Sequence, residues 1–141
     1  MPRGHSLSSD KRSAFVFSLD FGDLDAENQE ELLNKLVEIA PNPHGYVREK
    51  IRKIDIISCV SGRLYTKIVD IPQDHEEYHV IHVLYFDTSH DYDDKDLTEY
   101  SVKASRKLSK MEDLDTLSEA NEYIRENGLW LGDIEDLVED S

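Results

Sequence analysis

The stretch "YHVIHVLYFDTSHDYDD", residues 78–94, decides how the rest of the chain is arranged. It carries His79, His82 and His90 and closes on Asp87, Asp91, Asp93 and Asp94, so it reads either as a metal site or as a strand that runs into an acidic turn. Tyr78 to Phe86 are mostly β-branched or aromatic, a composition that suits a pleated, half-buried surface rather than a helix. On a strand, Tyr78, Val80, His82, Leu84 and Phe86 share one face, and His79, Ile81, Val83 and Tyr85 the other. Both faces are largely apolar, which predicts a central strand. His79 and His82 then point apart and cannot chelate one ion together; His75 would join them only on a helix. The acidic run that follows spaces oxygens somewhat like a calcium loop. Counted from Asp87 or Asp91, it lacks the glycine at the sixth position and the glutamate at the twelfth, where Thr98 and Val102 stand. The sequence therefore specifies no metal ligands and no cofactor site. The acidic run reads as a turn that places negative charge at the start of the next helix.

Upstream, "DIISCVSGRLYTKIVDI" has two apolar runs around Ser61-Gly62, the pattern of a hairpin or bulged strand, with Pro72 and Gln73 beginning the next loop. "GYVREKIRKI" places Val47, Ile51 and Ile54 at helical spacing and predicts a short helix with Arg48, Lys50, Arg52 and Lys53 on its exposed side. "DAENQEELLNKLVEIA" predicts a helix capped by Asp25, with an apolar stripe through Leu32, Leu33, Leu36, Val37 and Ala40, stopped by Pro41 and Pro43. "AFVFSLDF" alternates and predicts a first strand. Downstream, "DDKDLTEYSVKASRKLSKM" predicts a helix on Leu97, Tyr100, Ala104, Leu108 and Met111. "TLSEANEYIRENG" predicts another, opened by a Thr116–Glu119 capping box and closed at Gly128. The expected fold is α+β: a mainly antiparallel sheet of about four strands, with two N-terminal and two C-terminal helices packed on it. A polar arm (1–12) precedes a single domain (13–128), and an acidic amphipathic tail (129–141) follows it.

The formal net charge is −15, from 16 Lys+Arg against 31 Asp+Glu. Such a charge disfavours direct binding to nucleic acid or anionic lipid and suits a basic partner or concentrated salt. The acid load resembles that of halophilic proteins and their viruses. One cysteine, Cys59, excludes an internal disulfide and sits in an apolar run as a buried thiol. With no apolar run of membrane-spanning length and no signal-peptide core, the expected setting is the cytoplasm or a virus particle assembled there.

Three surfaces are candidates for partner binding. Lys103, Arg106, Lys107 and Lys110 form a basic stripe on a helix whose first turn is acidic, an arrangement the helix dipole alone would also favour. Arg48 and Arg52, with Lys50 and Lys53, form a second basic cluster. If the two meet, the subunit has one positive face and can stack head to tail. Trp130, Leu131, Ile134, Leu137 and Val138 form an apolar stripe that either fills a groove on a partner or folds back on the chain's own core.

No phosphate loop, nucleophile elbow, paired zinc ligands or triad spacing occurs, which argues against an enzyme. The order of elements around "GRLYTKIVDI" and "YHVIHVLYF" resembles the RelE/HigB-like toxin fold, over about the middle half of the chain. That resemblance implies a small ribonuclease acting on messenger RNA. Where that family often carries an arginine after the tyrosine of the later strand, His79 stands here. The function expected first is a non-enzymatic subunit of a larger assembly with other protein subunits. A head-to-tail connector or tail-end component of a halophilic virus is its concrete form. An acidic inhibitor or immunity-type protein that binds a basic enzyme, and the ribonuclease, are the alternatives.

Overall fold

A computed structural model describes residues 7, 11–19, 21–60, 62–73, 76–88, 94–108 and 116–139. The elements run β1 (Ser13–Phe17), α1 (Ala26–Ile39), β2 (Val47–Ile51), β3 (Ile54–Ser58), β4 (Arg63–Gln73), β5 (Glu76–Asp87), α2 (Asp94–Leu108), α3 (Leu117–Asn127), β6 (Gly128–Trp130) and α4 (Leu131–Glu139). The class is α+β, as the patterning predicts. The sheet is larger than expected, with six strands in the order β2-β3-β4-β5-β1-β6. It is also mixed, because β1 lies parallel to β5 while every other neighbouring pair is antiparallel. The two missing strands are β2 and β6, each short and at an edge.

The stretch that decides the fold does become a central strand. β5 is flanked by β4 and β1, and Val80, Ile81, His82, Val83 and Leu84 are all buried. One face of the sheet packs Phe15, Ile57, Leu64, Ile68, Ile81 and Val83 against Leu32, Leu36 and Ile39 of α1 and Ile134 of α4. The other face packs Ala14, Val16, Ile71, Tyr78 and Val80 under Ala120 and Ile124 of α3. Further along that face, Ile54, Ile56, Tyr65 and Leu84 lie under Ala104 of α2. Helices thus cover both faces, and the period-two alternation of β5 feeds them from Tyr78 to Leu84. A register shift opposite Tyr65 and Thr66 then reverses it, so Phe86 packs with the α1 face and Tyr85 with the α2 face, contrary to the expected assignment.

The predicted second helix is a strand. Val47 and Ile51 fit helical spacing, but they fit an alternating edge strand as well, and β2 pairs with β3 antiparallel through a bulge between Val47 and Glu49. Arg52 and Lys53 close this hairpin with positive φ angles of 52° and 70°. That is the left-handed geometry of a two-residue turn, which Asn-Gly adopts without strain. Two long side chains there cost on the order of 1 kcal/mol each. The hairpin around Ser61-Gly62 is present as β3–β4. β4 runs on through Pro72 and Gln73 rather than ending before them. β3 pairs with β4 only as far as Thr66, so Pro72 sits where one side of β4 is an open edge and its missing N–H is tolerated.

Asp25 caps α1 by accepting the Asn28 N–H at 2.8 Å, and Thr116 caps α3 by accepting the Glu119 N–H at 3.1 Å. Gly128 stands at the end of α3 as expected, though not in the left-handed geometry of a helix stop. Its φ is −141°, and it opens β6, where any Cβ would collide with the Phe15 carbonyl. Residues 128–139 are thereby part of the domain: β6 pairs with β1, and Ile134 of α4 is fully buried. Of the arm, the described residue Leu7 is tied down as well. Leu7 is buried against the α3 side of the sheet, and its N–H bonds Asn121 Oδ1 at 3.1 Å.

Candidate functional site

The fold brings together a cluster that no spacing in the sequence announces. Asp70 and His79 are cross-strand partners on β4 and β5, so their side chains emerge side by side on the α1/α4 face. Pro41 and Pro43 end α1 and start a 3-10 turn, Pro43–Tyr46, that delivers His44 over the same spot. His79 Nδ1 lies 2.8 Å from Asp70 Oδ1. His44 Nε2 lies 2.7 Å from Oδ1 and 2.9 Å from Oδ2 of the same carboxylate. The two imidazole rings meet edge to face at 5.6 Å. Partial burial raises the Asp70 pKa, but hydrogen bonds from His44 and His79 and their charge outweigh it, and the group ends below its ordinary value. A cleft of about 260 Å³ opens beside the cluster, lined by His79 with Arg12, Ala40, Pro41, Glu77 and Leu131.

His79 and His82 do face opposite sides, as the strand reading requires. His82 sits on the α2/α3 side, 1% exposed, edge-on to Tyr123 at 6.1 Å. What the sequence could not supply is His79's true neighbours, 35 and 9 positions away in the chain. The alternation that put His79 on a face did point to a cross-strand partner, but only register identifies Asp70.

The two basic clusters meet. The Ser105 hydroxyl on α2 donates to the Arg52 carbonyl at 3.0 Å, which seats the end of α2 against the β2–β3 turn. Arg48, Lys50, Arg52, Lys53, Lys103 and Arg106 are exposed around this corner. Lys50 approaches Asp55 at 3.4 Å, and Lys103 approaches Glu99 at 3.4 Å. Lys107 is turned inward: its ammonium donates to the carbonyls of Ser18 and Leu84 at 2.9 and 3.1 Å and lies 3.7 Å over the Tyr85 ring. It therefore ties α2 to the sheet. Lys110 lies outside the described residues.

The apolar stripe folds back in cis. Ile134 is buried in the core, and Leu131 packs against the same cluster. Trp130 is half-buried in β6, with its indole N–H 3.3 Å from Asn121 Oδ1. Leu137 is 46% exposed, and Val138 lines a shallow cleft on α1. Cys59 is half-buried, and burial, reinforced by Glu31 and Glu38 against the opposing charge of Lys35, pushes its thiol up to about 12. That makes it a poor nucleophile.

β2 and β6 are the two edges of the sheet. The β2 edge carries the basic corner, and α3 and α4 flank β6. Residues 117–139 hold seven Asp and Glu against the single Arg125. Five strand spacings separate the edges by about 24 Å. The ribonuclease alternative needs His79 or His82 in one cleft with the basic residues. His82 is buried, and His79 lies on the opposite face of the sheet from α2. Among the described residues no helix is long and apolar enough to cross a membrane. No protein-family model, curated protein or solved structure matches the chain.

Proposed function

We propose that this protein is a non-enzymatic subunit that associates head to tail, docking the basic β2–β3 corner of one copy on the acidic α3/α4 end of the next. The observation that carries the reading is the placement of opposite charge on opposite edges of one sheet. At that separation, more than two Debye lengths in ~0.1 M salt, the two ends do not neutralise each other within a molecule, so each is satisfied by a neighbour. A contact between two different patches is heterologous, and it builds rings or filaments rather than closed dimers. The strained Arg52-Lys53 turn supports the same reading: it holds two cations at the outermost point of the corner, in a backbone geometry other residues would adopt more cheaply. The acid load suggests a connector or tail-end subunit of a halophilic virus as a more specific form; that form needs the contact to persist in multimolar salt, and loss of the assembly in KCl would overturn that form.

The test is absolute mass by light scattering after size exclusion, in dilute buffer and in multimolar KCl, with circular dichroism confirming folding at each salt. Mass that grows with concentration in dilute buffer and falls in KCl is the expected result. The double variant Arg52→Asn, Lys53→Gly relieves the turn and removes both charges, so it should unfold later than wild type yet stay monomeric. A folded wild-type monomer at every salt and concentration overturns the proposal and favours the acidic inhibitor. Multimers unaffected by the double variant overturn the docking corner.

A further inference from the structure

We propose that His44, Asp70 and His79 form a binding site for a divalent transition-metal ion of the zinc type, independently of how subunits associate. Among the described residues, His44 Nε2, Asp70 Oδ1 and His79 Nδ1 are mutually within 4.8 Å, each offering one donor atom. Two imidazoles and one carboxylate are the ligand set of Zn²⁺ and its neighbours in the first transition row. Ca²⁺ and Mg²⁺ take mostly oxygen ligands. The three groups come from a turn and two adjacent strands, so they converge from different directions, as a facial three-ligand site requires.

The distances fit an ion entering from solvent. Around a tetrahedral Zn²⁺ with ligands at about 2.0–2.1 Å, neighbouring donors lie about 3.3 Å apart. The present separations of 2.7 and 2.8 Å are those of hydrogen bonds, so the donors must open by about half an ångström. His44 is the group free to move. It sits on a short exposed turn, whereas β4 and β5 fix Asp70 and His79 in register. Binding also replaces the two imidazole N–H donors with lone pairs. Neutral His44 and His79 do this by moving their protons to Nδ1 and Nε2 respectively, so the imidazole protons need not leave the rings. Three protein ligands leave a fourth position open. The cleft lined by Arg12, Glu77 and Leu131 adjoins His79 and is where an exchangeable water or small anion would reach the ion.

The probes are Zn²⁺ by calorimetry and Co²⁺ by its visible absorption, on the full chain and on His44→Ala and Asp70→Asn. Long-range ¹H–¹⁵N spectra of the imidazoles identify the nitrogens involved. One equivalent should bind, with a four- or five-coordinate Co²⁺ spectrum that Zn²⁺ displaces, and with shifts at His44 Nε2 and His79 Nδ1. Each variant should bind at least tenfold more weakly while keeping the fold by circular dichroism. His44 is exposed, so His44→Ala does not test folding. An octahedral Co²⁺ spectrum, unchanged affinity in both variants, or shifts confined to other histidines would each overturn the site.

Discussion

His82 shows what one buried residue can impose. It is 1% exposed on the α2/α3 face, and its Nδ1 has no hydrogen-bond partner among the described residues. Burial, reinforced by the positive charge of Lys67 opposite on β4, pushes its pKa down to about 4. An unfolded histidine titrates near 6.5, so between those values the unfolded chain binds more protons than the folded one. Stability therefore falls as pH drops from about 6.5 to about 4, by a total on the order of 3 kcal/mol. Chemical denaturation across this window should show the slope in wild type and lose most of it in His82→Phe. Asp70 acts lower: its folded pKa lies below the ordinary 3.8, so its contribution is present above that pH and lost beneath it. A slope unchanged in His82→Phe would mean that other groups carry the acid sensitivity.

Among the elements, the β3–β4 ladder depends on a side chain to finish it. Pairing stops at Asp55 opposite Thr66, which leaves the Ile68 N–H pointing past the end of β3. The buried Asp55 carboxylate accepts that N–H at 2.9 Å, the Thr66 hydroxyl donates to the Asp55 carbonyl at 2.8 Å, and Lys50 approaches from the edge. Asp55→Ala leaves a buried donor unpaired and should cost about 2 kcal/mol. Asp55→Asn keeps an accepting oxygen and should cost clearly less. Equal losses for the two in urea melts would show that the carboxylate does not complete the ladder. A second element-level constraint is the bulged, basic β2. Charged side chains and a bulge are how exposed edges resist unregulated strand addition, so its cations guard the edge as well as forming the corner proposed for docking.

Across the whole molecule, the two ends of the chain close the fold together. β6 extends the sheet beyond β1, and α4 lays Ile134 into the core beside α1. The Lys11 ammonium pairs with Glu135, and Asn121 binds both the Leu7 N–H and the Trp130 indole. The tail is therefore a structural part of the domain, and substitutions along it should divide by depth. Ile134→Ala should cost about 2–4 kcal/mol, as for a fully buried aliphatic side chain. Leu137→Ala, at an exposed position on the same helix, should stay within about 0.5 kcal/mol. If both were neutral in thermal and urea melts, the tail would not be integral to the core.

By itself the sequence determined the class, the central strand at residues 78–86, the caps at Asp25 and Thr116, and the opposition of His79 and His82. These are local matters. Period-two or helical alternation and the hydrogen bonding of a capping side chain act within a few residues and are written in the order of the chain. Tertiary structure alone decided that Val47–Ile51 is a strand, that β1 lies parallel to β5, that the tail docks in cis, and that His44 and Asp70 join His79. Val47 and Ile51 satisfy both periods, and only the availability of β3 as a partner chooses between them. The cluster depends on strand register and on the path of a turn. Those are set by which apolar faces can be buried together, a property of the folded whole that no short stretch contains.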